Sequence, residues 1–230
     1  MKHILKPLVC ICLIAFTERL YAQTSPEDYQ AIAGNFALAY SGIVEKGYHT
    51  GYISTPYYPE EYTSGSFNYR GTEYSNVKMR IDCHTKRLII LTPDGKMNRV
   101  MHPTEVKRAT IEGRSFVYFD KTEAAPSEGY YAVLHEGKDF SIYSLRYVSN
   151  LIQETHGRVM MRGFSLKERV FLVKDGQWIP LSGKNSFIKH FKNHKEALNS
   201  YSKEKGLRFK KENHSDWTAL AAYCETLISK

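Results

Sequence analysis

Three observations predict a mainly β fold built as an antiparallel meander. Short runs rich in β-branched and aromatic residues fill Ser66 to Leu145, turn dipeptides of the Arg-Gly, Asp-Gly and Glu-Gly kind separate them, and no stretch of helical length and period intervenes before residue 180. With 230 residues, 42% of them hydrophobic, the chain can bury one sizeable core. The 17 tyrosines suit a pleated, half-exposed surface better than a helix interior. The expected architecture is a sandwich or partial barrel with a C-terminal tail of about three short helices packed on it. Residues 1–22 read as a signal peptide, 23–183 as the antiparallel β domain and 184–230 as the helical tail.

The first 22 residues have the layout of a secretory leader. Lys2, His3 and Lys6 make a basic start, Leu8 to Phe16 an apolar run too short to span a bilayer, and Tyr21-Ala22-Gln23 a cleavage site after Ala22. Leu20 stands where a small residue is preferred, and neither Cys10 nor Cys12 follows the small-residue motif of a lipid anchor. No later stretch approaches 18 apolar residues, so the chain without its leader is not expected to span a membrane.

In the remaining chain Ser25-Pro26-Glu27-Asp28 has the form of a helix start, with Ser as cap and Pro in the first turn. Ala37 to Tyr40 and Ile43 to Tyr48 flank Ser41-Gly42 as a first hairpin, and residues 49–62 read as a loop because Pro56 and Pro59 remove backbone donors. The meander proper then begins. Val77, Met79 and Ile81 alternate with Lys78, Arg80 and Asp82, which predicts one dry and one wet face. Leu88 to Leu91 is apolar on both faces and therefore central. Further runs lie at Val106 to Ile111, Phe116 to Phe119, Tyr130 to His135 and Phe140 to Tyr147, and a last hairpin turns at Asp175-Gly176. Residues 120–128 and 149–163 read as longer polar connections.

From Lys184 the apolar period changes from two to about 3.6. Asn185 or Ser186 can cap a helix carrying Phe187, Ile188 and Phe191, and Asn193 a second that ends at Gly206. Asn213 with Asp216 starts a third, whose stripe of Trp217, Leu220, Ala221, Cys224, Leu227 and Ile228 must bury itself against the sheet or a partner, the sheet being the expected cover.

Removing the leader leaves Cys83 and Cys224, either bridged or as two buried thiols; two cysteines carry no spacing information. The basic balance of the chain belongs to the tail, where Lys203, Lys205, Arg208, Lys210 and Lys211 cluster. In an exported protein such a cluster addresses anionic envelope surfaces or a partner protein and not nucleic acid, or else is the solvated lysine face of amphipathic helices. The tyrosines Tyr48, Tyr52, Tyr57, Tyr58 and Tyr62 offer faces for a sugar ring or another apolar ligand, or else pack onto the sheet.

Searches for reaction chemistry exclude more than they find. Gly113-Arg114-Ser115 and Gly163-Phe164-Ser165 lack the second glycine of a nucleophile elbow, and no glycine-rich phosphate cradle or Cys-x-x-Cys pair occurs. His190 and His194 would share a face only on a continuous helix, which a cap at Asn193 interrupts, so no metal site and no cofactor is expected. Glu60 and Glu61 are neighbours on opposite faces of an extended segment, while Asp120, Glu123, Glu128 and His135 could converge only in three dimensions.

The order of several short motifs carries a resemblance. Lys184-Asn185-Ser186-Phe187-Ile188, His194-Lys195-Glu196, Tyr201 and Leu207-Arg208-Phe209-Lys210-Lys211 precede the closing helix with Tyr223, and Thr55-Pro56-Tyr57, Gly65, Tyr74 to Val77 and Gly129-Tyr130-Tyr131 lie upstream. In these the chain resembles a group of exported, uncharacterised Bacteroidetes proteins, except at Cys83-His84. The resemblance implies an exported β-rich protein and supplies no catalytic residues. The expected function is a non-enzymatic binding or interaction module, periplasmic or extracellular, for an envelope protein, a glycan or another ligand. The alternatives are a barrel-like carrier of a small apolar ligand, and a hydrolase whose acids meet only in the fold.

Overall fold

The computed structural model describes residues 39, 43–45, 47–48, 52–156, 159–209 and 214–229. The leader, the helix start at Ser25 and the turn at Ser41-Gly42 lie outside them. Eleven strands form one antiparallel sheet: β1 Ile43–Val44, β2 Tyr57–Tyr69, β3 Thr72–Asp82, β4 Arg87–Leu91, β5 Asn98–Met101, β6 Arg108–Ile111, β7 Arg114–Phe119, β8 Gly129–Glu136, β9 Phe140–His156, β10 Val159–Lys174 and β11 Gln177–Leu181. Their spatial order is β1-β5-β4-β3-β2-β6-β7-β8-β9-β10-β11. From β6 onward this is a plain meander. The strand at Ile43 pairs with β5, Ile43 lying opposite Val100; the run from Ala37 to Tyr40 predicted as its hairpin partner lies, except for Ala39, outside the described residues.

The glycine-bearing dipeptides work as expected. Arg70-Gly71, Glu112-Gly113 and Asp175-Gly176 each have both residues at positive φ, the turn geometry whose twist matches that of the flanking strands. Val77, Met79 and Ile81 are buried, and Leu88, Ile89 and Ile90 are sealed in the middle of their half-sheet. Asp82 departs from the predicted wet face: it is 2% exposed, because the chain around Tyr48 covers that end of β3.

Two predicted loops are strands. β2 begins at Tyr57, and the constraint of Pro59 is absorbed by an irregularity between Tyr58, opposite Ile81, and Thr63, opposite Met79. Residues 149–163 belong to the long β9–β10 hairpin; their polar sequence reflects solvent on the hairpin, where Leu151 and Met160 are exposed. That hairpin brings the sheet round on itself. The Ile53 amide donates to the Arg162 carbonyl at 2.7 Å, and Ser54 Oγ both donates to the Phe164 carbonyl and accepts from its amide. Strands β1 and β11 remain separate edges, so the sheet is curled without a closed ladder.

The tail comprises α1 Lys184–Ile188, a 3-10 turn Lys192–His194, α2 Lys195–Glu204 and α3 Ser215–Ile228. The caps differ from those predicted. Gly183 stands at the first N-cap, with Ser186 Oγ reaching back to accept from the Ser182 and Gly183 amides, and His194 takes the second because Asn193 lies inside the 3-10 turn. Asn213 is outside the described residues. The stripe on α3 buries as its period requires: Trp217, Leu220, Ala221 and Cys224 are covered, while Leu227 and Ile228 are half-buried. Polar contacts fix its register: Thr218 Oγ1 donates to the Leu134 carbonyl of β8 at 2.9 Å, and Glu225 accepts from the Lys138 amide at 2.8 Å and lies 3.1 Å from His135.

Cys83 and Cys224 are free buried thiols. Burial pushes both up to about 12, with the Glu225 charge adding at Cys224 and the Arg146 charge opposing at Cys83. The thiolate is the reactive form, so both sites are protected twice. Leaderless native protein is expected to resist an aromatic disulfide reagent at pH 8, and the denatured chain to release two equivalents of thiol; rapid native reaction would contradict the packing of α3.

Candidate binding site

The sequence-predicted tyrosines separate onto the two faces of β2. Tyr57 points to the face that carries Arg80 and Asp82, and its neighbour Tyr58 to the other, as the strand period demands. Tyr48 is the hub of the first group: its ring centroid lies 5.6 Å from those of Tyr52 and Tyr57 and 4.8 Å from that of Phe164. Tyr52 stacks on Phe164 at 5.3 Å, so the curl of the sheet supplies one wall. The Arg80 guanidinium sits 3.4 Å from the centroid of Tyr57 and 4.0 Å from that of Tyr62, holding these two rings by cation–π attraction. Tyr58 receives a hydrogen bond from Arg114 at 2.7 Å and lies under Arg146. It is a packing residue of the opposite face.

Two carboxylates complete the hub. Tyr48 donates to Asp82 Oδ2 at 2.9 Å and Tyr57 to Glu45 Oε1 at 2.7 Å. Burial, reinforced by these acceptors and their charge, pushes both phenols well above their ordinary range. Burial also lifts Tyr62, against the Arg80 charge, to about 12. All three therefore stay protonated donors. Asp82 is fully engaged, since its Oδ1 also accepts the His84 and Thr85 amides at 2.8 and 3.0 Å and so shapes the β3–β4 turn. By contrast Glu45 Oε2, Tyr62 Oη and Arg80 Nε are buried with no hydrogen-bond partner among the described residues.

Beside this hub lies an open cleft of about 460 Å³, lined by Glu45, Tyr48, Asp82, Thr85, Arg87 and Ile89 with Gly47 and Val100. Thr85 and Arg87 are exposed on its rim. The concavity offers the Tyr48 ring, braced from behind by the other aromatics and by two carboxylates, with a hydroxyl and a guanidinium on its rim, a set suited to a polyhydroxylated ligand. Sequence reasoning finds Tyr48 and its ring neighbours but misses Glu45, Asp82, Thr85 and Arg87. They stand on strands and turns whose proximity is set by the β1–β5 and β3–β4 pairings.

A second polar cluster is buried between β9, β10 and the start of α3. Glu168 Oε1 accepts from Ser144 Oγ at 2.5 Å and lies 2.7 Å from His214 Nε2, and Arg146 stands 4.0 Å from Oε2. Serine, histidine and an acid are together, but the carboxylate is in the middle. A serine nucleophile needs the imidazole next to its hydroxyl, and here Ser144 gives its proton direction to Glu168 instead. The adjoining cavity, of about 10 Å³, has room for one water molecule and none for a substrate. This cluster anchors the tail.

The remaining expected site residues are dispersed. Asp120, Glu123 and Glu128 lie near Tyr118 on one loop, but Glu123 pairs with Lys107 and Glu128 with Lys86, while His135 pairs with Glu225 of α3. Lys203 and Lys205 are exposed at the end of α2 and Arg208 follows it, while Lys210 and Lys211 lie outside the described residues. His190 precedes the 3-10 turn and His194 ends it, and no group of three metal-ligating side chains occurs among the described residues. Among those residues no helix is long and apolar enough to cross a membrane. No family model, curated protein or solved structure matches the chain.

Proposed function

We propose that this protein is an exported, non-enzymatic binding module, periplasmic or extracellular, that takes a glycan in the cleft beside Tyr48. The observation that carries this reading is the fixed Tyr48 ring with exposed Thr85 and Arg87 around an open concavity of about 460 Å³. Sugars present alternating apolar faces and hydroxyl edges, and such a surface meets both. Export rests on the basic, apolar and cleavable layout of residues 1–22.

The test uses leaderless protein on immobilised neutral oligosaccharides, followed by calorimetry on the tightest binder. Thr85→Ala with Arg87→Ala removes two exposed rim groups and is expected to weaken binding about 10- to 100-fold, the loss of one or two ligand hydrogen bonds, with thermal stability almost unchanged. Failure of every glycan to bind, or binding indifferent to the double variant, overturns the proposal.

A further inference from the structure

The helical tail carries a second concave surface of opposite chemistry. A groove of about 600 Å³ is lined by Asn185, Ile188, Lys189, Lys192, Lys195 and Asn199. A neighbouring hollow of about 570 Å³ shares Lys189 and Lys192 and continues past His190 and Asn193 toward Lys174 and Asp175. The two adjoin at Lys189 and Lys192, so together they line an elongated surface with lysines at its centre. The fold forces this convergence: Phe187, Ile188, Phe191 and Leu198 are buried against the sheet and α3, so the residues between them are left outward across the short elements. Lys189, Lys192 and Lys195 are all exposed, and no ion pair joins any of the three to a described residue. Among the described residues the acids lie toward the ends. Asp139 and Asp175 stand in the second hollow, Asp175 already paired with Lys174 at 2.9 Å, and Glu196 follows Lys195 on α2.

Three uncompensated ammonium groups in a groove attract anions. Lysine presents a point charge without a fixed fork, so it tolerates anions whose geometry varies along a chain, whereas a single bound phosphate would favour arginine. Asn185, Asn193 and Asn199 add side chains that both donate to and accept from hydroxyls. An elongated surface with central charges and flanking amides matches a repeating anion on a hydroxylated backbone. We propose that this surface binds an acidic polysaccharide, independently of the cleft beside Tyr48.

The test measures binding of leaderless protein to oligogalacturonate and to dextran sulfate, which separate carboxylate from sulfate as the anion. Lys189→Gln, Lys192→Gln and Lys195→Gln combined keep the side-chain stems and are expected to weaken binding of at least one probe at least tenfold and to flatten its salt dependence. Lys203→Gln with Lys205→Gln removes two charges outside the groove and is expected to change affinity less than threefold. Equal losses in both variants would mean attraction by overall charge and overturn the proposal. So would binding of neither probe, or a preference for vesicles of anionic phospholipid over both polysaccharides. Circular dichroism of the triple variant checks its fold; since the three lysines are exposed, its spectrum and melting are expected to match the parent, and unfolding would contradict the groove geometry itself.

Discussion

Gly65→Ala is expected to lower the melting midpoint by about 6–12 °C, corresponding to about 3 kcal/mol for a chain of this size. Gly65 lies in β2 with β3 on one side and β6 on the other, opposite Ile111. A Cβ built there would overlap the Thr110 carbonyl oxygen and approach Met79 Sδ to 2.9 Å. The thioether can swing aside. The carbonyl cannot, because it belongs to the β6 backbone, and moving it pulls apart the pairing that joins the two halves of the sheet. Gly71→Ala is the control: its φ is 82° but nothing lies within 4 Å of the added carbon, so only left-handed backbone strain of about 1–2 kcal/mol is expected. A Gly65 variant melting with the parent, or a Gly71 variant falling further, would show that β2 and β6 are not this close.

Most of the sheet is legible in the sequence because its hairpins are local: each pair of runs is joined by a dipeptide that tolerates positive φ, and period two assigns the faces. The α3 stripe is legible for the same reason. What the sequence hides is long-range. That β6 pairs with β2 follows from no turn, since β3 to β5 are inserted between them in the chain. The polar β9–β10 extension reads as loop because neither face offers an apolar alternation to detect. The candidate site divides along the same line. Tyr48, Tyr52 and Tyr57 are conspicuous by composition, whereas Asp82 looks like one wet-face residue among many until Tyr48 folds over it, and Arg87 joins the cleft only through the β3–β4 pairing. The groove lysines are obscured by a tail in which lysine is common. Glu168 and His214, 46 residues apart, give no signal at all.

Glu168→Gln is expected to cost about 3 kcal/mol at neutral pH and to make the acid limb of the stability curve shallower. Glu168 and His214 side chains are 14% and 11% exposed, and Arg146 is also largely covered, so the carboxylate faces two basic groups in a mostly dry site. Burial alone would raise the Glu168 carboxyl. Hydrogen bonding to His214 and Ser144 and the positive charges of His214 and Arg146 override it and hold the group down to about 2, against 4.5 unperturbed. Because the folded value lies below the unfolded one, the contribution is complete above about pH 4.5 and drains away as pH falls toward 2. That difference corresponds to about 3 kcal/mol, within the range for breaking a buried pair by removing one partner. Glutamine keeps the shape and part of the hydrogen bonding but no charge, so denaturant midpoints of the variant should fall less steeply than those of the parent between pH 4.5 and 2. Parallel curves, displaced or not, would place the acid sensitivity elsewhere, and an unchanged midpoint at pH 7 would mean that His214 and Arg146 find other partners. The His135–Glu225 contact at the far end of α3 has the opposite polarity, the imidazole on the sheet and the acid on the helix, with Glu225 also held low. It remains intact in the variant. Loss of Glu168 should therefore loosen the His214 end of α3 first, visible as faster amide exchange at Thr218 than at Glu225.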